Sequence, residues 1–193
     1  MRRLFSLAVA LVLIAPVAAI ASPSMKTLGR TSQPIGHLWL CQQMPQECSV
    51  KSTTTEAPIL TKKRWSQLVA ANVGANLTIE PLTDQEFYGV EEHWTYPVSY
   101  GDCEDYVLMK RKTLMDQGWP ASSLLITVVK RENGEGHAVL TVRTDRGDFI
   151  LDNLESKIVR WTKTPYRYLK RQSVYHSGHW ADISDDRNQV AGF

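Results

Sequence analysis

The sequence predicts an α+β domain, with helices in its first half and an antiparallel sheet in its second. Three observations carry that prediction. Apolar residues recur at helical spacing between positions 61 and 118. From 123 onward they fall instead into short stretches that are β-branched or alternate with polar residues. The turn clusters Glu132-Asn133-Gly134-Glu135-Gly136 and Asp145-Arg146-Gly147-Asp148 separate those stretches at hairpin spacing.

Residues 1–21 read as a secretory signal. Arg2 and Arg3 precede an apolar run over 4–20, and Ala19-Ile20-Ala21 has the small-x-small form of a cleavage site. The run is short for a membrane span and is broken by Pro16. The remainder, 22–193, is expected to be one domain with its own core. Residues 22–36, rich in Ser, Pro, Thr and Gly, read as a loose entry segment, and 49–58 as a polar loop. Thr61 opens a helix predicted over 62–77, where Trp65, Leu68, Val69, Asn72, Val73 and Asn76 recur on helical positions; Asn72 and Asn76 share its face. Residues 82–101 look irregular. Asp102 then suits the N-cap of a second helix, Glu104 and Asp105 suit its first turn, and Gly118 is placed to stop it. Strands are predicted at 124–129, 137–143 and 149–152, with a further strand region over 159–170.

The chain carries 22 Lys+Arg against 20 Asp+Glu. Loss of Arg2 and Arg3 with the signal leaves the charges balanced, which argues against a nucleic-acid partner. The basic runs Lys62-Lys63-Arg64 and Lys110-Arg111-Lys112 are short and read as solvated helix faces. Of the three cysteines, Cys41 and Cys48 are the natural disulfide of an exported protein. Cys103 is then the odd thiol.

Cys103 stands at a predicted helix start, where free N–H groups and the helix dipole favour a thiolate and can hold an oxyanion. His137 begins a strand after a glycine-rich turn, and Asp152 ends the neighbouring strand. With 145–148 taken as the hairpin turn, Asp152 falls opposite Thr141, so a bulge or splayed strands must bring it to His137. Thiol, imidazole and carboxylate are the parts of a nucleophilic triad. The flanking acids are a difficulty, because negative charge opposes the thiolate. On the residues alone, Asp102 is a helix cap and Glu104 a complement to the dipole. His176 and His179, spaced i, i+3, are a weak metal pair.

Gly101-Asp102-Cys103-Glu104-Asp105-Tyr106, preceded by Trp94-Thr95-Tyr96-Pro97, resembles the bacterial transglutaminase-like cysteine proteinases. Gly136-His137-Ala138-Val139-Leu140, Asp152-Asn153-Leu154 and Pro45-Gln46-Glu47-Cys48 extend the resemblance over nearly all of 22–193. It implies a papain-like, transglutaminase-like fold, with Cys103 as nucleophile, His137 as general base and acid, and Asp152 as the orienting residue. It further implies a periplasmic endopeptidase acting on a protein substrate of the surface-adhesin class, under an inner-membrane regulator. It also implies Ca²⁺ bound by Asp102 and Glu104, with Asp105 as a third candidate ligand. An amidase or transglutaminase would use the same residues, and a silent binding module would be expected to have lost some of them. Only Val98, Ser99 and Tyr100 separate Pro97 from Gly101, a shorter stretch than the adhesin-clipping members lead one to expect. Trp94 is read either as a wall of the cleft or as a core residue.

Overall fold

The computed structural model describes residues 24–189; the segment read as a secretory signal lies outside them. The chain begins with β1 (Lys26–Thr31), α1 (Ile35–Gln43), α2 (Pro45–Cys48) and α3 (Lys62–Thr78). The short elements β2 (Glu80–Pro81), α4 (Asp84–Phe87) and β3 (Tyr100–Gly101) lead into α5 (Cys103–Asp116). The sheet strands β4 (Leu124–Lys130), β5 (Gly136–Thr144), β6 (Gly147–Leu151), β7 (Val159–Arg160), β8 (Arg167–Gln172) and β9 (Trp180–Ser184) follow. They form one antiparallel sheet in the order β1-β9-β8-β4-β5-β6-β7. The α+β expectation holds, with one displacement: the first strand comes from the segment read as loose, and it closes the edge beside β9.

The alternation of β5 divides the core. Ala138, Leu140 and Val142 face the helices, in a cluster with Leu68, Ala71, Val107, Leu108, Leu114 and Trp180. Val139 belongs to the opposite cluster, with Val129, Ile150, Trp161, Tyr166, Tyr168 and Met25. Helix α3 starts as its sequence predicts, with the Thr61 hydroxyl accepting from the Arg64 N–H. It buries Leu68, Ala71, Asn72 and Ala75, while Trp65, Val69, Val73 and Leu77 remain exposed. Helix α5 ends at Gly118, whose φ of 86° is the left-handed conformation that glycine adopts without strain.

Two expectations need correction. Lys110 and Arg111 are not on a solvated face. Both are buried, and the exposed member of the run is Lys112. Arg111 donates to the Leu124 carbonyl and pairs with Glu47 at 3.5 Å. The β5–β6 hairpin is also tighter than the count from sequence: Thr144 pairs with Gly147 and Leu140 with Leu151, leaving only Asp145 and Arg146 in the turn. That moves every residue of β6 two places along β5.

The Cys41–Cys48 disulfide is formed, with Cα atoms 5.5 Å apart. It lies against His37, whose Nδ1 accepts from Trp180 Nε1 at 3.3 Å. Burial holds the His37 imidazole down to about 4. With both sulfurs spent in the disulfide, the His37, Cys41 and Cys48 group offers no thiolate to a metal.

Candidate active site

The tighter hairpin settles the distance between His137 and Asp152. Carried one residue beyond β6, its register puts Asp152 opposite Val139, two positions from His137 and on the same face of the sheet. No bulge is needed. His137 Nε2 lies 2.9 Å from Asp152 Oδ1, with both side chains buried. An ionised carboxylate only accepts, so Nε2 carries the proton and Nδ1 is the free nitrogen. Asp152 is held from three further directions. The Leu154 N–H also donates to Oδ1 at 3.0 Å, the Tyr166 hydroxyl donates to Oδ2, and Asn76 Nδ2 holds the Asp152 carbonyl at 2.9 Å. Burial works against ionisation of this carboxyl, but the bonds from His137 and Tyr166 outweigh it and hold the group below its usual value.

Cys103 is the first residue of α5 and the free thiol among the described residues. The Ala138 N–H points at its sulfur, which sets the thiol beside the residue that follows His137. The head of α5 therefore lies against the start of β5, one residue from His137. Burial, and next the Glu104 carboxylate 3.1 Å away, raise the thiol well above its ordinary range.

The acids around Cys103 form a cluster. Carboxylate oxygens of Asp84, Asp102 and Glu104 lie within 4.8 Å of one another. Asp102 occupies the N-cap position but makes no side-chain cap bond; its Oδ2 accepts instead from the Asp84 N–H at 3.2 Å. Its Oδ1 is buried and has no hydrogen-bond partner among the described residues. Burial first, then the Asp102 charge, push Glu104 up to about 10. Burial raises Asp84 as well. Three hard oxygen donors, one of them orphaned, in a pocket that disfavours their charge fit a hard divalent cation such as Ca²⁺.

Asp84 was missed in the sequence, and Asp105 does not join the cluster. Asp105 Oδ1 accepts from the Thr95 N–H at 2.8 Å, and burial raises this carboxyl to about 8. The carboxylate is packed on Gly101, where a Cβ would come within 2.8 Å of the Asp105 Cβ and Oδ2. Asp84 reaches Asp102 because β2 and β3 pair in parallel just before each residue. The local signal was the Thr83–Glu86 capping box, which marks a helix start but not its spatial neighbour. Trp94 is a core residue, 5% exposed, donating to Glu92 at 2.8 Å. His176 and His179 stack on each other, with no third ligand among the described residues.

Helices packed on one face of an antiparallel sheet, with a cysteine heading the helix that lies against β5, define a transglutaminase-like protein. A family model described as bacterial transglutaminase-like cysteine proteinase, BTLCP, matches residues 27–188. The chain belongs to that family. Among solved structures it is similar to Legionella pneumophila LapG, with 27% identity and a TM-score of 0.52, over 65% of this chain and 71% of the other. The calcium-bound form of LapG matches at 28% identity and a TM-score of 0.50, over 55% of this chain. The chain spans 64% of that structure's length. An EGTA-treated form matches at 27% identity and a TM-score of 0.52, over 64% of this chain and 73% of the other. Among curated proteins no match was found.

Proposed function

We propose that this protein is an exported cysteine endopeptidase that cleaves a peptide bond in a cell-envelope or surface protein. The observation that carries the reading is the 2.9 Å bond from His137 Nε2 to Asp152, which leaves Nδ1 for a thiol next to Ala138. Nδ1 takes the Cys103 proton, and the thiolate attacks the carbonyl carbon of the scissile bond. The N–H of Cys103, at the head of α5, is placed to steady the resulting oxyanion. His137 returns the proton to the departing amine. Water then adds to the thioester, releasing the acid and regenerating the thiol. Asp152 holds the imidazole in the tautomer that both transfers need.

Asp84, Asp102 and Glu104 are the residues that would hold calcium, whose fixed positive charge offsets the acids beside the thiol. Calcium-bound and EGTA-treated forms of LapG support the assignment. The periplasm as location, an adhesin as substrate and control by an inner-membrane partner follow from the family resemblance and the signal-like residues 1–21. No described helix is long and apolar enough to cross a membrane.

The test is cleavage of a peptide library, with iodoacetamide labelling of Cys103 run in calcium and in EGTA. Fast labelling in calcium, slow labelling in EGTA and no cleavage by Cys103→Ala are expected. Cleavage by Cys103→Ala at the wild-type rate would sink the mechanism.

A further inference from the structure

Away from the candidate active site, β1, β8, β9 and the loop from β8 to β9 border a cavity of about 400 Å³. Arg30, Arg143 and Arg171 line it together with Tyr175 and His179, and no described carboxylate does. Strand register explains how the arginines meet. Arg30 of β1 stands opposite Ala181 of β9, and Ala181 stands opposite Arg171 of β8. The row continues through Thr127 to Val139, which belongs to the cluster away from the helices. Residues directly opposite on paired strands share a face. Arg30 and Arg171 therefore flank a single methyl group, with their Cα atoms two strand spacings, roughly 10 Å, apart. The small side chain between two long ones leaves the gap.

The charge in this gap is not answered from within the fold. Arg171 is 5% exposed. A guanidinium has its N–H donors in a fixed fork, and Arg171 donates from Nη2 to the Met25 carbonyl at 3.4 Å. Its Nε and Nη1 are buried with no hydrogen-bond partner among the described residues. Asp148 approaches Nη1 at 3.6 Å, too far for a hydrogen bond, and its Oδ2 already accepts from the Met25 N–H at 2.9 Å. The same residue stands opposite Arg143 in the β5–β6 pair, while Arg143 Nη1 donates to the Thr55 and Ser122 carbonyls. Three guanidiniums therefore share one carboxylate. Buried donors without acceptors cost stability, and an apolar side chain at 171 would avoid that cost.

We propose that this cavity is an oxyanion-binding site that takes a doubly charged phosphate group, with Arg171 as its buried anchor and Arg30 as its outer arm. Guanidinium forks match phosphate oxygens in pairs, and a dianion balances the surplus positive charge. Burial lowers Arg171 to about 10, which leaves it protonated at neutral pH. Arg143 and His137 stand near opposite ends of β5, roughly 20 Å apart along an extended strand, so occupancy of the cavity does not depend on the peptidase reading.

The experiment is calorimetric titration of inorganic phosphate into the full chain in EGTA, with ionic strength matched by sodium chloride. One saturable site is expected. Arg171→Gln should weaken it by about tenfold, the scale of a charge-assisted hydrogen bond, and Arg30→Gln, at an exposed position, by about fivefold. Lys112→Gln removes an exposed charge from α5, outside the cavity, and should leave the affinity unchanged. No saturable binding, or equal weakening by Lys112→Gln, overturns the proposal. So does wild-type affinity in Arg30→Gln, the result expected if Arg171 serves only as the partner of Asp148; this arm stands even where Arg171→Gln does not fold. Glycerol phosphate and vesicles containing phosphatidic acid distinguish the source. Binding of glycerol phosphate as tightly as phosphate assigns a free phosphomonoester, and vesicle binding that Arg30→Gln abolishes assigns a lipid headgroup. Cys103→Ala should bind phosphate as the wild type does, so failure of the peptidase mechanism and failure of this site are separate results.

Discussion

Two groups of carboxylates belong to the candidate site, one bonded to His137 and one beside Cys103, and they are built on opposite principles. Asp152 is saturated: an imidazole, a phenol and a backbone N–H satisfy its two oxygens, and its proton affinity is lowered. Asp84, Asp102 and Glu104 crowd one another, Asp102 Oδ1 has no partner, and Asp84 and Glu104 are pushed toward neutrality. The first group is complete as the chain folds. The second is held open, and its charges balance only when something positive arrives. A completed site fixes geometry, whereas an incomplete one makes activity depend on what fills it.

The largest expected effect breaks the complete side. Asp152→Ala should lower kcat/KM by about 10³-fold, the scale on which triad members act, with little change in calcium affinity measured by calorimetry. A loss of calcium binding in that variant would merge the two regions into one. Next comes the incomplete side. Chelation should slow Cys103 alkylation by about tenfold, since removing the cation raises the thiol further, and Asp84→Ala should weaken calcium binding by a similar factor.

Stability gives this contrast a sign. Glu104 binds its proton more tightly folded than at its ordinary 4.5, so the folded state holds more protons between there and about 10. Without calcium, the melting temperature should therefore fall as pH rises through that window. Calcium should flatten the slope. Asp152 acts oppositely: its lowered value contributes stability above the ordinary carboxylate range, lost as pH falls through the folded value. The smallest effect sharpens the complete side. Tyr166→Phe removes one of Asp152's donors and should cost roughly fivefold in rate, on the order of 1 kcal/mol, because His137 and the Leu154 N–H remain.

Cys103, His137 and Asp152 were legible as a thiol, an imidazole and a carboxylate, but the approach of Asp152 to His137 was not. Whether Asp152 reaches His137 depends on a hairpin two residues tighter than its turn composition suggests, and a two-residue change keeps the face while altering the partner. Helices α3 and α5 announced themselves through caps and periodicity. Helix α1 had neither: Pro34 caps it without a side-chain bond, and no acid opens it or base closes it. Strand β1 escaped because its residues are mostly exposed and its pairing is with β9, the last strand of the sheet. Lys110 read as surface for the same reason that makes it informative, since a buried lysine breaks the rule by which sequences are read.

Gly101 carries a consequence for anyone who would build this chemistry elsewhere. A side chain there would strike Asp105 and displace it from Thr95, tilting the first turn of α5 beneath the thiol. A designer grafting the nucleophile onto another scaffold therefore has to transplant a void as well as a sulfur. The portable unit is the glycine, the cysteine two residues downstream, and the acid that fills the space the glycine leaves.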